Sequence, residues 1–195
     1  MPHDVVGDMK AETGDLAGVV VFRPTPMRDT RGSFSRTFDA EAASRAGIRV
    51  ETLVQDSQSR SRCGVVRGLH FRTDGGEGKL VRCSYGRIFD VAVDLRPRST
   101  TFGAKQVIVL DDQEHVSVWL PPGLAHGFQA MTDVADVHYR IDRPFLPGVD
   151  GCIRWDDPDL AIDWPLPPTQ ISDKDRSAPF LADITDQIPT WFAAL

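Results

Sequence analysis

The stretch Arg87-Ile88-Phe89-Asp90-Val91-Ala92-Val93-Asp94-Leu95 changes sides at every residue. Ile88, Asp90, Ala92 and Asp94 fall on one face and Phe89, Val91, Val93 and Leu95 on the other, the period of a β-strand. Lys79–Ser84 precedes it, and Ala104–Leu110, His115–Leu120, Gly127–Met131 and Val134–Ile141 follow, each bounded by Gly, Pro or Asp. Upstream, Val19–Phe22 is a β-branched run closed by Pro24, and Asp29-Thr30-Arg31-Gly32 reads as a turn. Ser33–Phe38 then alternates, with Phe34, Arg36 and Phe38 on one face. The one clear helix is Asp39–Ala46, capped by Asp39 and stopped by Gly47. Short, evenly spaced strands predict a mainly β sandwich or barrel with a few short helices, not βαβ units. Residues 1–17 are polar and patternless and are expected to be a mobile tail. Residues 18–195 should form a single domain whose segment after Pro144 wraps the barrel as loops and a short terminal helix.

Composition narrows the function. The net charge of −6 disfavours nucleic-acid or membrane-surface partners, which select basic faces. A local group of arginines can still hold a phosphate-bearing small molecule. The apolar runs Val19–Phe22 and Val107–Leu110 are far shorter than the roughly 20 residues that span a bilayer. The acidic start (Asp4, Asp8, Glu12, Asp15) does not read as a signal peptide. Cys63, Cys83 and Cys152 are widely spaced and odd in number, which reads as reduced thiols in the cytoplasm.

Two histidines stand in suggestive places. Gly64-Val65-Val66-Arg67-Gly68-Leu69-His70, then Glu77 and Gly86, then Pro121-Pro122-Gly123-Leu124-Ala125-His126, come close to the double motif of the cupin jelly-roll barrel. In such a barrel the two histidines enter one cavity from facing strands. Metal-binding cupins read His-x-His, but Arg72 fills the second position, where a cation cannot ligate and would repel a divalent ion. His70, Glu77 and His126 remain a three-ligand alternative for a metal-dependent oxygenase or isomerase. His126 also reads as a structurally satisfied histidine.

A longer series of landmarks is more specific. It comprises Asp29-x-Arg31-Gly32-x-Phe34, Gln55-Asp56-x-x-Ser59, Gly64 to Phe71, Lys79-Leu80-Val81-Arg82, Phe89 to Arg96 and Ser99-x-Thr101-Phe102-Gly103. Pro122 to Phe128, Trp155-x-Asp157-Pro158 and Ser172-Asp173-Lys174-Asp175 complete it. In these the chain resembles the dTDP-4-dehydrorhamnose 3,5-epimerase family, cupin-like enzymes that need no metal or other cofactor. The resemblance implies an isomerase that removes a proton beside the ketone of a nucleotide-linked 4-keto-6-deoxyhexose and returns it to the opposite face. It implies His70 as base with Asp175 as its partner, Lys79 at the enolate oxygen, Tyr139 as opposing acid and His126 lining the sugar pocket. It further implies Arg67, Gln55, Ser59 and Lys174 as ligand contacts, with Arg31 and Phe34 reaching the neighbouring subunit of a homodimer.

The chain departs from the family pattern at Arg36, where an acid is usual, at Lys105, where Trp is usual, at Ser57 and at Arg72. Arg36 and Arg72 are expected near the ligand, so the nucleotide or sugar is the open question. Inversion of C3 alone, another nucleotide, and a non-catalytic sugar-nucleotide binder stand as alternatives.

Overall fold

The computed structural model describes residues 8–195. The chain runs through β1 (Met9–Thr13), β2 (Val20–Pro24), β3 (Met27–Asp29), β4 (Gly32–Phe34) and α1 (Ala40–Arg45). Then come β5 (Gln55–Arg62), β6 (Val66–Arg72), β7 (Lys79–Tyr85), β8 (Arg87–Asp94), β9 (Lys105–Asp111), β10 (Ser117–Leu120), β11 (Leu124–Ala130) and β12 (Val134–Ile141). It closes with β13 (Asp150–Cys152), α2 (Asp173–Arg176), α3 (Leu181–Ile184) and α4 (Ile188–Trp191). Six strands form one antiparallel sheet in the order β1-β2-β10-β7-β12-β5. Five form the other in the order β13-β6-β11-β8-β9, and β3-β4 is a separate hairpin. The mainly β, jelly-roll expectation holds.

The alternation of β8 is explained by burial on both of its faces. Ile88 and Ala92 enter the barrel with Val81, Cys83, Leu110, Val118, Phe128 and Val137. Val91, Val93 and Leu95 point the other way, under Ile153, Leu160, Ile184, Ile188 and Phe192 of the C-terminal segment. That segment packs on the outer face of the five-stranded sheet and carries three short helices where one was expected. The helix expected at Asp39–Ala46 forms as α1, with the Asp39 side chain accepting from Ala42 N–H. It rests on the outer face of the six-stranded sheet, where Ala43 and Ile48 pack with Phe22, Leu80 and Trp119.

Three expectations need correction. Residues 1–7 of the expected tail lie outside the described residues, and Met9–Thr13 form an edge strand on β2. The reason lies just beyond it: Leu16 and Val19 are fully buried, and Gln106 Oε1 accepts from Asp15 and Leu16 N–H at 2.8 and 3.2 Å. The alternation at Ser33–Phe38 carries a strand only to Phe34, after which Phe38 turns under the Arg140 guanidinium, 4.5 Å from its ring centroid. Finally, β5 falls outside the predicted strands, and β6 was expected only as the strand that brings in His70.

Close contact between β6 and β11 depends on two glycines. At Gly68 (φ 127°) a Cβ would sit 2.5 Å from Gly127 Cα, and at Gly127 it would sit 2.8 Å from the Arg67 carbonyl oxygen. No larger residue fits either position, and between them they fix where β6 carries His70.

Candidate active site

A cleft of about 590 Å³ opens beside β6, lined among others by the charged or polar residues Arg60, Arg67, His70, Gln170, Lys174 and Asp175. His70 stands on β6, with Arg67 three residues earlier at the strand's start. Asp175 arrives from α2, a helix capped by the Ser172 side chain, which accepts from Asp175 N–H at 3.1 Å. The sequence separates His70 and Asp175 by 105 residues, and the fold brings His70 Nε2 to 2.7 Å from Asp175 Oδ1. Gly68 N–H donates to the other carboxylate oxygen at 3.2 Å. Burial alone would raise the pKa of Asp175, but His70, Gly68 N–H and Ser172 outweigh it and hold the carboxyl below its usual range. An anion is thus fixed behind an imidazole whose side chain remains 42% exposed.

Cys152 lies directly opposite His70 on β13, with Sγ 3.7 Å from Asp175 Oδ1. Burial pushes its thiol up to about 12.

The facing wall belongs to the six-stranded sheet. β5 presents Gln55, Ser57, Ser59 and Ser61 inward and Asp56, Gln58, Arg60 and Arg62 outward. The inward row carries polar partners: Gln55 Nε2 donates to Ser57 Oγ at 3.2 Å, Ser59 Oγ is 3.3 Å from the Tyr139 hydroxyl, and Arg67 Nε donates to Ser61 Oγ at 2.9 Å. Tyr139 pairs with Val81 and shares its inner face, as does Lys79 two residues before Val81. Burial pushes the Tyr139 phenol far above its ordinary range, so the hydroxyl is a protonated donor at neutral pH. Lys79 is buried beside Glu77, with Nζ to Oε1 at 3.2 Å.

His126 sits opposite His70 across the β6–β11 ladder and 6.2 Å, ring to ring, from Tyr139. Its Nε2 is 2.7 Å from Asp90 Oδ1, and both residues are buried. Sequence reasoning missed Asp90, although an acid flanked on its own face by Ile88 and Ala92 was a usable signal. The alternative metal set does not converge. His126 is taken by Asp90, while Glu77 pairs with Lys79 and lies 3.7 Å from Arg72.

Other expected ligand residues lie elsewhere. Arg72 is buried and turned away, donating to both oxygens of Asp74 at 2.9 and 2.6 Å and to the Pro144 carbonyl at 2.8 Å. Its charge is thus neutralised, not aimed at the cleft. Arg36 donates to Asp39, the cap of α1, at 2.8 Å. Lys105 replaces an aromatic for a structural reason, since its Nζ donates to the carbonyls of Leu160 and Ala161 at 2.5 and 2.7 Å. Arg31 and Phe34 belong to the exposed β3–β4 hairpin, with Phe34 61% exposed and Arg31 paired to its neighbour Asp29. Lys174 lines the cleft, and Gln55 Oε1 accepts from Phe145 N–H at 2.9 Å.

This arrangement suits proton transfer. A carboxylate orients an imidazole that lines the cleft, a phenol stands near His126 on the inner face of the other sheet, and Arg67 and Lys174 line the same cleft as the imidazole.

Comparison with known proteins agrees. The family model described as dTDP-4-dehydrorhamnose 3,5-epimerase matches residues 13–183. The chain is 43% identical over 165 residues to the enzyme of that name from Methanothermobacter thermautotrophicus, covering 83% of this chain and 89% of that one. A Legionella pneumophila epimerase solved in complex with dTDP-4-keto-L-rhamnose superposes with a TM-score of 0.87 at 37% identity, over 93% of this chain and 97% of that one. NovW, a 4-keto-6-deoxy sugar epimerase from the novobiocin gene cluster of Streptomyces spheroides, gives 0.88 at 35%, over 93% and 92%.

Proposed function

The chain belongs to the dTDP-4-dehydrorhamnose 3,5-epimerase family, and we propose that it inverts C3 and C5 of dTDP-4-keto-6-deoxyglucose with His70 as the base. It is an isomerase of deoxysugar biosynthesis acting on a nucleotide-linked 4-keto-6-deoxy sugar. The observation that carries the proposed roles is the 2.7 Å contact of His70 with a buried Asp175 on the wall of a cationic cleft.

His70 removes the proton beside the ketone, and Asp175 stabilises the resulting imidazolium. Lys79 meets the charge that develops on the enolate oxygen, where a buried cation acts more strongly than in water. Tyr139, on the opposite sheet, delivers a proton to the other face, and His126, held by Asp90, shapes the sugar pocket. Arg67 and Lys174 hold the diphosphate.

The site is completed in a homodimer, by Arg31 and Phe34 of each hairpin reaching the other subunit. What supports this is that, among the described residues, β3 and β4 pair only with each other and all their residues are exposed. No described helix is long and apolar enough to cross a membrane, and residence in the cytoplasm belongs to the same proposal.

The test is incubation with dTDP-4-keto-6-deoxyglucose in heavy water, followed by proton NMR. Deuterium should enter C3 and C5. Exchange at C3 alone would mark a mono-epimerase, and no exchange with any nucleotide form would refute the reading.

A further inference from the structure

We propose that His70, Asp175 and Cys152 form a binding site for a thiophilic divalent cation of the zinc class, and that its occupancy blocks the base. The inhibitory consequence rests on the reading of His70 given above; the site itself does not.

His70 Nε2, Asp175 Oδ1 and Cys152 Sγ all lie within 4.8 Å of one another. Oδ1 is 2.7 Å from the nitrogen and 3.7 Å from the sulfur. Tetrahedral zinc, with bonds of about 2.1 Å to nitrogen and oxygen and about 2.3 Å to sulfur, separates sulfur from oxygen by about 3.6 Å and nitrogen from oxygen by about 3.4 Å. The sulfur and oxygen already stand at that spacing. The imidazole and carboxylate must part by roughly 0.7 Å, as the ion takes the place of the proton between them.

The three ligands are held independently: His70 on β6, Cys152 opposite it on β13, and Asp175 by α2 and Gly68 N–H. On binding, the thiol proton leaves to solvent, and thiolate plus carboxylate balance the charge of the ion. His70 and Asp175 line the cleft, so the ion is reached from there.

The surrounding charges permit the ion. Arg72 is neutralised by Asp74 and Glu77. Arg67 and Lys174 line the cleft, but the Arg67 guanidinium is turned to Ser61 Oγ and the Arg60 carbonyl. Asp150, two residues from Cys152 on the same strand, also lines the cleft and adds a carboxylate near the ion.

Cobalt(II) is the spectroscopic probe. Titration into the purified full-length protein should give one equivalent with a thiolate-to-cobalt charge-transfer band, displaced by zinc. Zinc should also stop deuterium entry into the keto-sugar, and a chelator should restore it. Cys152→Ser should abolish the band and raise the zinc concentration for half-inhibition at least about 10-fold, relative to its own metal-free rate. Cys63→Ser should leave both unchanged. If Cys152→Ser does not fold, His70→Gln serves, keeping the band at weaker affinity. A wild-type protein without a stoichiometric band, a band that survives Cys152→Ser, or cobalt binding that leaves exchange untouched would overturn the proposal. Metal-free protein inactive on every nucleotide 4-keto sugar would refute the enzymatic reading and leave the cobalt test standing.

Discussion

Replacing Asp175 by asparagine keeps the shape of the side chain and removes its charge. In the native site a carboxylate oxygen lies 2.7 Å from His70 Nε2, which puts the two charge centres about 4 Å apart once the imidazole is protonated. At an effective dielectric of about 20, that attraction is worth about 4 kcal/mol. Asp175 is buried, but the His70 side chain is 42% exposed, and solvent screens part of the field. A discounted value of about 2–3 kcal/mol remains, and at 1.36 kcal/mol per decade it predicts a rate lower by about 30- to 150-fold. The assay is single-turnover deuterium entry into dTDP-4-keto-6-deoxyglucose, with circular dichroism to show that the fold persists. Asparagine can still accept from Gly68 N–H, so the backbone anchor of α2 should survive. A folded Asp175→Asn protein within threefold of wild type would refute the claim that this carboxylate stabilises the protonated base.

Further predictions rest on other contacts. Tyr139→Phe should lower net epimerisation by about 10²- to 10⁴-fold while deuterium entry at the carbon facing His70 continues; equal loss of both would argue against an opposing acid. Gly68→Ala should destabilise the protein by about 3 kcal/mol in urea and lower exchange, because its Cβ would lie 2.5 Å from Gly127 Cα. Asp94 is fully buried; burial would raise its carboxyl, yet Arg96, Ser99 and Thr101 hold it below the usual range. Its stabilising contribution is therefore present above the ordinary carboxylate pKa of about 3.9 and is lost as pH falls through the lower folded value. Thermal midpoints of wild type should drop across that acidic window, whereas Asp94→Asn should start about 3 kcal/mol less stable and fall more gently. Parallel curves would contradict this.

The strands from Lys79 to Ile141 were legible because each buries one or both faces in apolar neighbours, so residue pattern and burial coincide. β5 was hidden because its inner face is polar throughout: Gln-Asp-Ser-Gln-Ser-Arg-Ser-Arg has no apolar residue to betray a period of two. β1 was hidden by its polarity, and its anchor, Gln106, lies more than ninety residues away. In the site, His70 and His126 could be placed by spacing. The union of His70 with Asp175 depends on a long crossing that only the resemblance supplied. Arg72 misled because the sequence shows its charge and Asp74 two residues on, but not that their side chains pair or that the Pro144 carbonyl draws the guanidinium away.

The serine row of β5 has an evolutionary corollary. β5 is the margin of its sheet, pairing with β12 alone, and no hydrophobic layer depends on its inward side chains. A substitution at Ser57 therefore reshapes the cup without disturbing a packed interior or a second ladder. His70 is anchored on the opposite sheet, beside two glycines that tolerate nothing larger. Descendants of such a protein are free to try new sugars at this margin while the opposite wall keeps His70 in place.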